Sequence, residues 1–405
     1  MPKVFPFAAI RPCAEALAEV HCAPYDTMNR AEALEMASGK PHSFLHVDRP
    51  DIHFDADADP HAPEVYARAR VELERLLDEA ALARDLKPVF SIYRQTMNGR
   101  QQTGLVSTVL AADYASGVIK RHEFTRPDKE DDRVAHIEAT GCQCSPVFLA
   151  YRSEATLDAI IEAPKMRPPS VDFVDDLEVR HELWIVEDQD HAERIESAFG
   201  AVSRFYVADG HHRSAAAVRI ADAHPNDAAA QRFLAVTFPH NQLYVMDYNR
   251  FVHDLNGHQE AEFMTALAND FEVGPGSGSP ANARQFGLFI GGSWKTLTAK
   301  PHTYENRPVV EALDVAILQR HVLEPLLGIA DPRRSSRIEF IGGIRGMSEL
   351  EGKVSQRPGS LAIAMYPTSM DELLDVADDD SIMPPKSTWF EPKLRSGLFL
   401  NPVLR

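Results

Sequence analysis

The chain has 405 residues, 44% apolar and 25% charged, a globular balance long enough for two or three domains. Lys and Arg number 42 against 60 Asp and Glu, and the net charge of −18 argues against duplex nucleic acid as a partner, though not against a local basic pocket for a small anion. The four cysteines (Cys13, Cys22, Cys142, Cys144) form no disulfide framework, no run approaches the roughly 18 apolar residues of a membrane span, and the start lacks a signal-peptide run, so a soluble cytoplasmic protein with no membrane partner is expected.

Strands and helices alternate along the chain, which predicts a mixed α/β class, α/β or α+β. In residues 1–115, 62–86 reads as a helix with Pro63 in its first turn, an apolar stripe from Val65 to Ala80, and Pro88 as its stop. A strand over 89–94, a turn at Met97-Asn98-Gly99-Arg100 and a partner strand over 105–111 follow. In 116–255, a helix over 127–140 stops at Gly141, and strands are expected at 145–151, 177–186, 204–208 and 233–238. Helices are expected at 153–163 and 190–199. In 256–405, a helix over 258–271 leads to the Gly/Ser/Pro stretch 274–280, read as a linker or loop tip. A hairpin over 286–299, a helix over 314–327, a strand over 361–366 and a helix over 370–377 complete the series.

The densest chemistry is at Tyr206 to Ala217, a short strand, a sharp turn and an Ala-rich helix, with Asp209, Gly210, His211, His212 and Arg213 at the turn. A helix start offers free amides and a positive dipole end, glycine lets an anion approach the backbone, and Arg213 can grip phosphate oxygens. Asp209, His211 and His212 also read as a metal set, or as a capped helix with exposed histidines. A second cluster runs from Lys120 through His122 and Glu123 to Arg133; Glu123, between a strand end and a helix, is a candidate base or part of a solvated charged turn. The third, Met383 to Gly397, sets Lys386 and Lys393 among hydroxyls and aromatics beside Pro and Gly, suited to a loop over an anion or to a packed tail. No Gly-x-x-x-x-Gly-Lys-Ser/Thr loop, strand-linked Gly-x-Gly-x-x-Gly or Gly-x-Ser-x-Gly elbow is present.

Pro6 to Pro12, Ala23 to Asp26, Ser43 to Val47, Tyr93 to Gln95, His122-Glu123, Ala208 to Arg213, Asn249-Arg250 and Pro384 to Gly397 together resemble the bacterial domain-of-unknown-function family 1015 along nearly the whole chain. More distantly, residues 119–240 are similar to the ParB/sulfiredoxin-like superfamily, most closely its free-serine kinases: His122-Glu123, Arg133, Gly141, Pro146-Val147-Phe148 and Asp209 to Arg213 stand in the same order. About sixty residues separate Pro146-Val147-Phe148 from the turn here, more than in the compact kinases, and the first and last segments have no counterpart in them.

This resemblance implies a nucleotide-binding core at 116–255 flanked by segments 1–115 and 256–405. It implies Glu123 as base on a serine hydroxyl. Gly210, His211, His212 and Arg213 would hold nucleotide phosphates, with Ser214 in the same turn, and Asp209 would position the turn or a Mg²⁺. Lys386 or Lys393 would close over the site. The expected activity is phosphoryl transfer from ATP or ADP to a small hydroxylated metabolite, serine first, with Glu123, Asp209, His211, His212 and Arg213 as the catalytic set. The alternatives are a non-catalytic nucleotide-binding regulator and a metal-dependent hydrolase.

Overall fold

In the computed structural model, which describes residues 1–404, contacts divide the chain into one unit of Met1–Leu243 with Pro392–Arg405 and another of Tyr244–Glu391. The first unit holds a nine-stranded sheet: β1 (Val4–Phe5), β2 (Phe90–Met97), β3 (Arg100–Leu110), β4 (Ile119–Lys120), β5 (Val147–Tyr151), β6 (Val171–Val174), β7 (Arg180–Val186), β8 (Phe205–Asp209) and β9 (Arg232–Pro239). Its order is β4–β8–β5–β9–β3–β2–β7–β6, with β1 on β3. The stretches 1–115 and 116–255 thus share one sheet.

Local chemistry explains most of these elements. Asn98 and Gly99 take φ of 50° and 75°, the left-handed pair that matches the strand twist, and they close the β2–β3 hairpin. Residues 233–238 of β9 are all buried, as a central strand requires. The helices are α1 (Pro63–Asp78), α2 (Pro127–Thr140), α3 (Ala155–Glu162), α4 (Gln189–Phe199) and α5 (His211–Ala223). In α2, Pro127 occupies the first turn, and Gly141 at φ 70° donates its amide to Ile137 O at 2.8 Å, which sets both ends where the sequence predicts them. The helix expected over 62–86 ends at Asp78: Ala80 turns at φ 55°, and Leu82–Arg84 pairs as a strand with Ile10–Pro12.

Two of the apolar clusters in this unit support the site. Leu157, Ile161, Ile195 and Phe199 of α3 and α4 pack on Val147, Leu149, Phe205 and Val207 of the sheet. Ile137 of α2 meets Ala216 and Ile220 of α5 and Val403. Full burial of a Leu, Ile or Phe contributes about 1.5–3 kcal/mol, so the packing outweighs the weak β propensity of Ala and Asp in β8.

The last residues of the chain form a strap across this unit. Ser396 pairs with Cys22, Leu400 with Ile10, and Asn401–Pro402 with Cys142–Gln143. Arg395 is buried and paired with Asp175, its Nε 2.7 Å from Oδ2.

The second unit is a six-stranded antiparallel sheet of β10 (Tyr248–Val252), β11 (Phe271–Pro275), β12 (Gln285–Ile290), β13 (Ser293–Ala299), β14 (Ile338–Gly342) and β15 (Leu361–Met365), ordered β11–β13–β12–β15–β10–β14. The helix expected over 258–271 is Glu260–Leu267, because Phe271 starts β11. The helix expected over 314–327 is α-helical only at Asp314–Leu318 and continues as a π-helical turn to Leu323. Nor is the glycine-rich stretch a slack linker. Gly274 and Pro275 end β11, and a Cβ on Gly276 would lie 2.4 Å from Thr296 Oγ1. Glycine is there for close packing.

Gly397 in the strap has φ 81°, and a Cβ would sit 2.7 Å from Cγ of the buried Phe44. Gly39 has φ 72° with nothing within 4 Å. Gly397→Ala is predicted to cost about 2–4 kcal/mol in denaturant unfolding, against about 1–2 kcal/mol for Gly39→Ala. Equal losses would show that the Phe44 contact does not matter.

Candidate functional site

The site is built from two neighbouring strand-to-helix turns. β4 and β8 run parallel, with Ile119 opposite Phe205 and Lys120 opposite Tyr206. Each then turns into a helix, β4 through residues 121–126 into α2 and β8 through Gly210 into α5. The register of β8 on antiparallel β5 shifts between Val207 and Asp209, a bulge that re-aims the strand end. Gly210 takes φ 96° and ψ 33° at the N-cap of α5, where a Cβ would fall 3.0 Å from the Arg213 guanidinium. Glycine is required there both for the turn and for the folded-back arginine.

Asp209 anchors this corner. Its Oδ2 accepts from Arg213 Nη2 at 2.6 Å and its Oδ1 from Lys393 Nζ at 3.1 Å. Burial alone would raise the Asp209 carboxyl, but the Lys393 and Arg213 charges outweigh it and hold the group well below the usual carboxylate range. Arg213 Nη1 also donates to Pro146 O, tying α5 to the start of β5. Lys393 therefore reaches the turn through Asp209. Lys386 belongs to the second unit, where its ammonium stands 5.7 Å from the Tyr248 ring centroid and its carbonyl accepts from Arg250.

The remaining residues of the turn divide by role. Ser214 N donates to Gly210 O at 2.9 Å, the first bond of α5, so the amides of His211, His212 and Arg213 precede the helical ladder. The Ser214 side chain is fully buried and its hydroxyl donates to Gly210 O at 3.1 Å, bracing the turn from inside. His212 Nε2 accepts from Arg126 N at 3.1 Å. That bond caps α2 and ties the 121–126 loop to α5, and it requires an unprotonated Nε2, in keeping with the lowering that burial imposes on this imidazole.

His122, Glu123 and His211 come together: one ligand-type atom from each lies within 4.8 Å of the others. The His122 and His211 rings meet edge to face, with centroids 4.5 Å apart. Both histidines are buried and Glu123 is half-buried. Burial pushes the His122 imidazole down to about 4, only partly opposed by the Val207 backbone and Asp209. Burial, with His122 adding to it, holds His211 well below its usual value. Two neutral imidazoles therefore flank one carboxylate. The arrangement can take up a proton or hold a cation.

The separation between Glu123 and the turn in sequence is thus closed in space. His122 was legible only as the partner of Glu123 in the His-Glu pair. The signal for its place is positional: His122 and His211 each stand two residues beyond the end of adjacent parallel strands. Arg133 is buried behind the site, 3.4 Å from Asp48 and 3.7 Å from the Tyr25 ring centroid, and acts as a clamp on the segment before α1. A cavity of about 30 Å³ touches Asp48, Arg133, His136 and Arg213, room for one or two waters.

Residues 4–316 match the family described as protein of unknown function, DUF1015. No curated protein matches the chain. Among solved structures, a free serine kinase mutant in complex with ADP is 13% identical, with 70% of this chain and 87% of that one covered and a TM-score of 0.35. SbnI with a C-terminal truncation, from Staphylococcus aureus, is 11% identical over 72% and 85% of the two chains at a TM-score of 0.39. A conserved hypothetical protein from Pyrococcus furiosus is 12% identical over 72% and 93% at 0.34. Likenesses at this level carry no argument about activity, which rests on the site itself.

The buried His122 makes stability depend on pH in a defined direction. Its folded value of about 4 lies below the unfolded value of 6.5, so between those two pH values the unfolded chain binds more protons. Its contribution is present above the unfolded value and is lost as pH falls toward the folded one. Urea unfolding is predicted to show about 2 kcal/mol lost from this group between pH 7 and pH 5, with a shallower slope in His122→Gln. A slope unchanged in His122→Gln would overturn the assignment.

Proposed function

This chain belongs to the DUF1015 family of proteins of unknown function, and we propose that it is a small-molecule phosphotransferase using ATP or ADP as donor. The observation that carries the reading is the adjacency of Glu123 to His211, the residue whose amide opens α5, with ligand-type atoms within 4.8 Å. A candidate base thereby stands beside the side chain of the residue that begins α5, whose free amides would receive an anion. Charge supports the same reading. Although the chain carries −18 overall, Arg213 and Lys393 offset Asp209 and Glu123, so the corner is close to neutral and the positive end of α5 is what favours an anion there.

In this reading the amides of His211, His212 and Arg213 receive the donor phosphates, and Arg213 and Lys393 balance their charge. Glu123 accepts the proton of the acceptor hydroxyl as that oxygen attacks the transferred phosphorus. His122 and His211, neutral and buried, shield that carboxylate from bulk water on one side. The acceptor is a small hydroxylated metabolite, with serine the first to try from the order of the motifs. Mg²⁺ commonly neutralises phosphate charge in such transfers. Asp209, the candidate to position it, gives one hydrogen bond per oxygen to Arg213 and Lys393, and no step is assigned to the ion.

Purified protein incubated with ATP or ADP and serine should form phosphoserine, read by phosphorus NMR. Glu123→Gln is expected to keep nucleotide affinity within about twofold while turnover falls about 10²–10⁴-fold. Arg213→Ala should weaken nucleotide binding by about tenfold or more. Turnover that survives Glu123→Gln would remove Glu123 as the base, and nucleotide binding without transfer would favour a regulator.

A further inference from the structure

Among the described residues, Nε2 of His211 and both ring nitrogens of His122 are buried without a partner in hydrogen-bond geometry, the Val207 backbone acting on His122 only from outside that geometry. The two side chains are 2% and 5% exposed. Leaving a buried polar group unpaired costs about 1–3 kcal/mol, and here two such groups lie against one carboxylate. The neighbouring polar residues differ. His212 spends Nε2 on the Arg126 amide, and Asp209 spends both oxygens on Arg213 and Lys393. The set of Asp209, His211 and His212 therefore does not converge on a cation, whereas His122, Glu123 and His211 do.

We propose that His122, Glu123 and His211 form a site for one borderline divalent transition-metal ion, of the Zn²⁺ or Co²⁺ class. Two imidazole nitrogens and one carboxylate oxygen suit such ions, while Mg²⁺ and Ca²⁺ prefer oxygen alone. Bonds of about 2.0–2.2 Å to a tetrahedral ion bring ligand atoms about 3.3–3.6 Å apart. Atoms now within 4.8 Å reach that spacing by an adjustment on the scale of side-chain torsions. Glu123, the half-buried member, marks the side from which an ion enters, and three protein ligands leave a further position open. The site invokes no nucleotide, but it draws on the same Glu123 carboxylate that the phosphotransferase reading uses as base, so an ion held there and a proton accepted there are alternatives.

The test uses the full chain freed of metal by chelator and titrated with Co²⁺, followed by visible absorption, with Zn²⁺ as competitor. One equivalent of Co²⁺ should bind and be displaced one for one by Zn²⁺. Glu123→Gln should weaken Co²⁺ binding at least about tenfold, and His122→Gln and His211→Gln about 100-fold. His224→Gln, at the exposed far end of α5, should bind as the unaltered chain does. If a buried-histidine variant fails to fold, Glu123→Gln, altered at a half-buried position, decides the matter. No stoichiometric binding of Co²⁺ or Zn²⁺, or equal binding by Glu123→Gln, overturns the site. Nucleotide affinity of the same metal-free sample separates the two readings. Intact nucleotide binding without metal binding defeats only the metal site, and the converse defeats only the phosphotransferase.

Discussion

Everything distinctive about the first unit follows from one short parallel pairing, Ile119 beside Phe205 and Lys120 beside Tyr206. It is only two residues long at the edge of the sheet, yet it sends two strand ends out in the same direction. Antiparallel neighbours would have sent them to opposite ends. Because the strands share a direction, their following turns share a corner, and His122 and Glu123 arrive where His211 begins a helix. The His212–Arg126 bond then stitches the two turns together. The pairing survives at an edge because Ile119 and Phe205 are both buried in the main core.

The corner also shows how an acidic protein gathers cations at one point. A single carboxylate, Asp209, draws in two cations from different places, Arg213 from the next helical turn and Lys393 from 184 positions away. It orders both side chains, yet it neutralises only one of them. The ion pairs are only partly shielded, with the Asp209 side chain 29% exposed, so their value is in placing charge more than in stability.

Much of this architecture is legible locally. The bounds of α2 can be read because proline in a first turn and glycine after a last turn are strong stereochemical signals. The Asn98-Gly99 hairpin and the start of α5 at Gly210 are equally local. The overlong reading of α1 fails because its apolar spacing continues through Leu82, and nothing in Glu79-Ala80-Ala81 announces a left-handed alanine. The Gly/Ser stretch misleads in the opposite way: glycines that look like slack are there for contact. Pairings that join distant strands, such as those that bring Glu123 to His211 and Lys393 to Asp209, leave no local trace. His122 is marked in the sequence as half of the His-Glu pair, but its place beside His211 shows only in their matching offsets from strand ends.

The strap has a consequence for the order in which the protein can be made. Residues 392–404 complete the first unit, but a ribosome delivers them only after all of 244–391 has emerged. Synthesis at about 5–20 residues per second leaves the nine-stranded sheet waiting for some seconds without Arg395 against Asp175 or Leu400 against Ile10. The contiguous six-stranded sheet can close in that interval. Until then, Ile10, Cys22 and Cys142–Gln143 lack the backbone partners that the strap supplies.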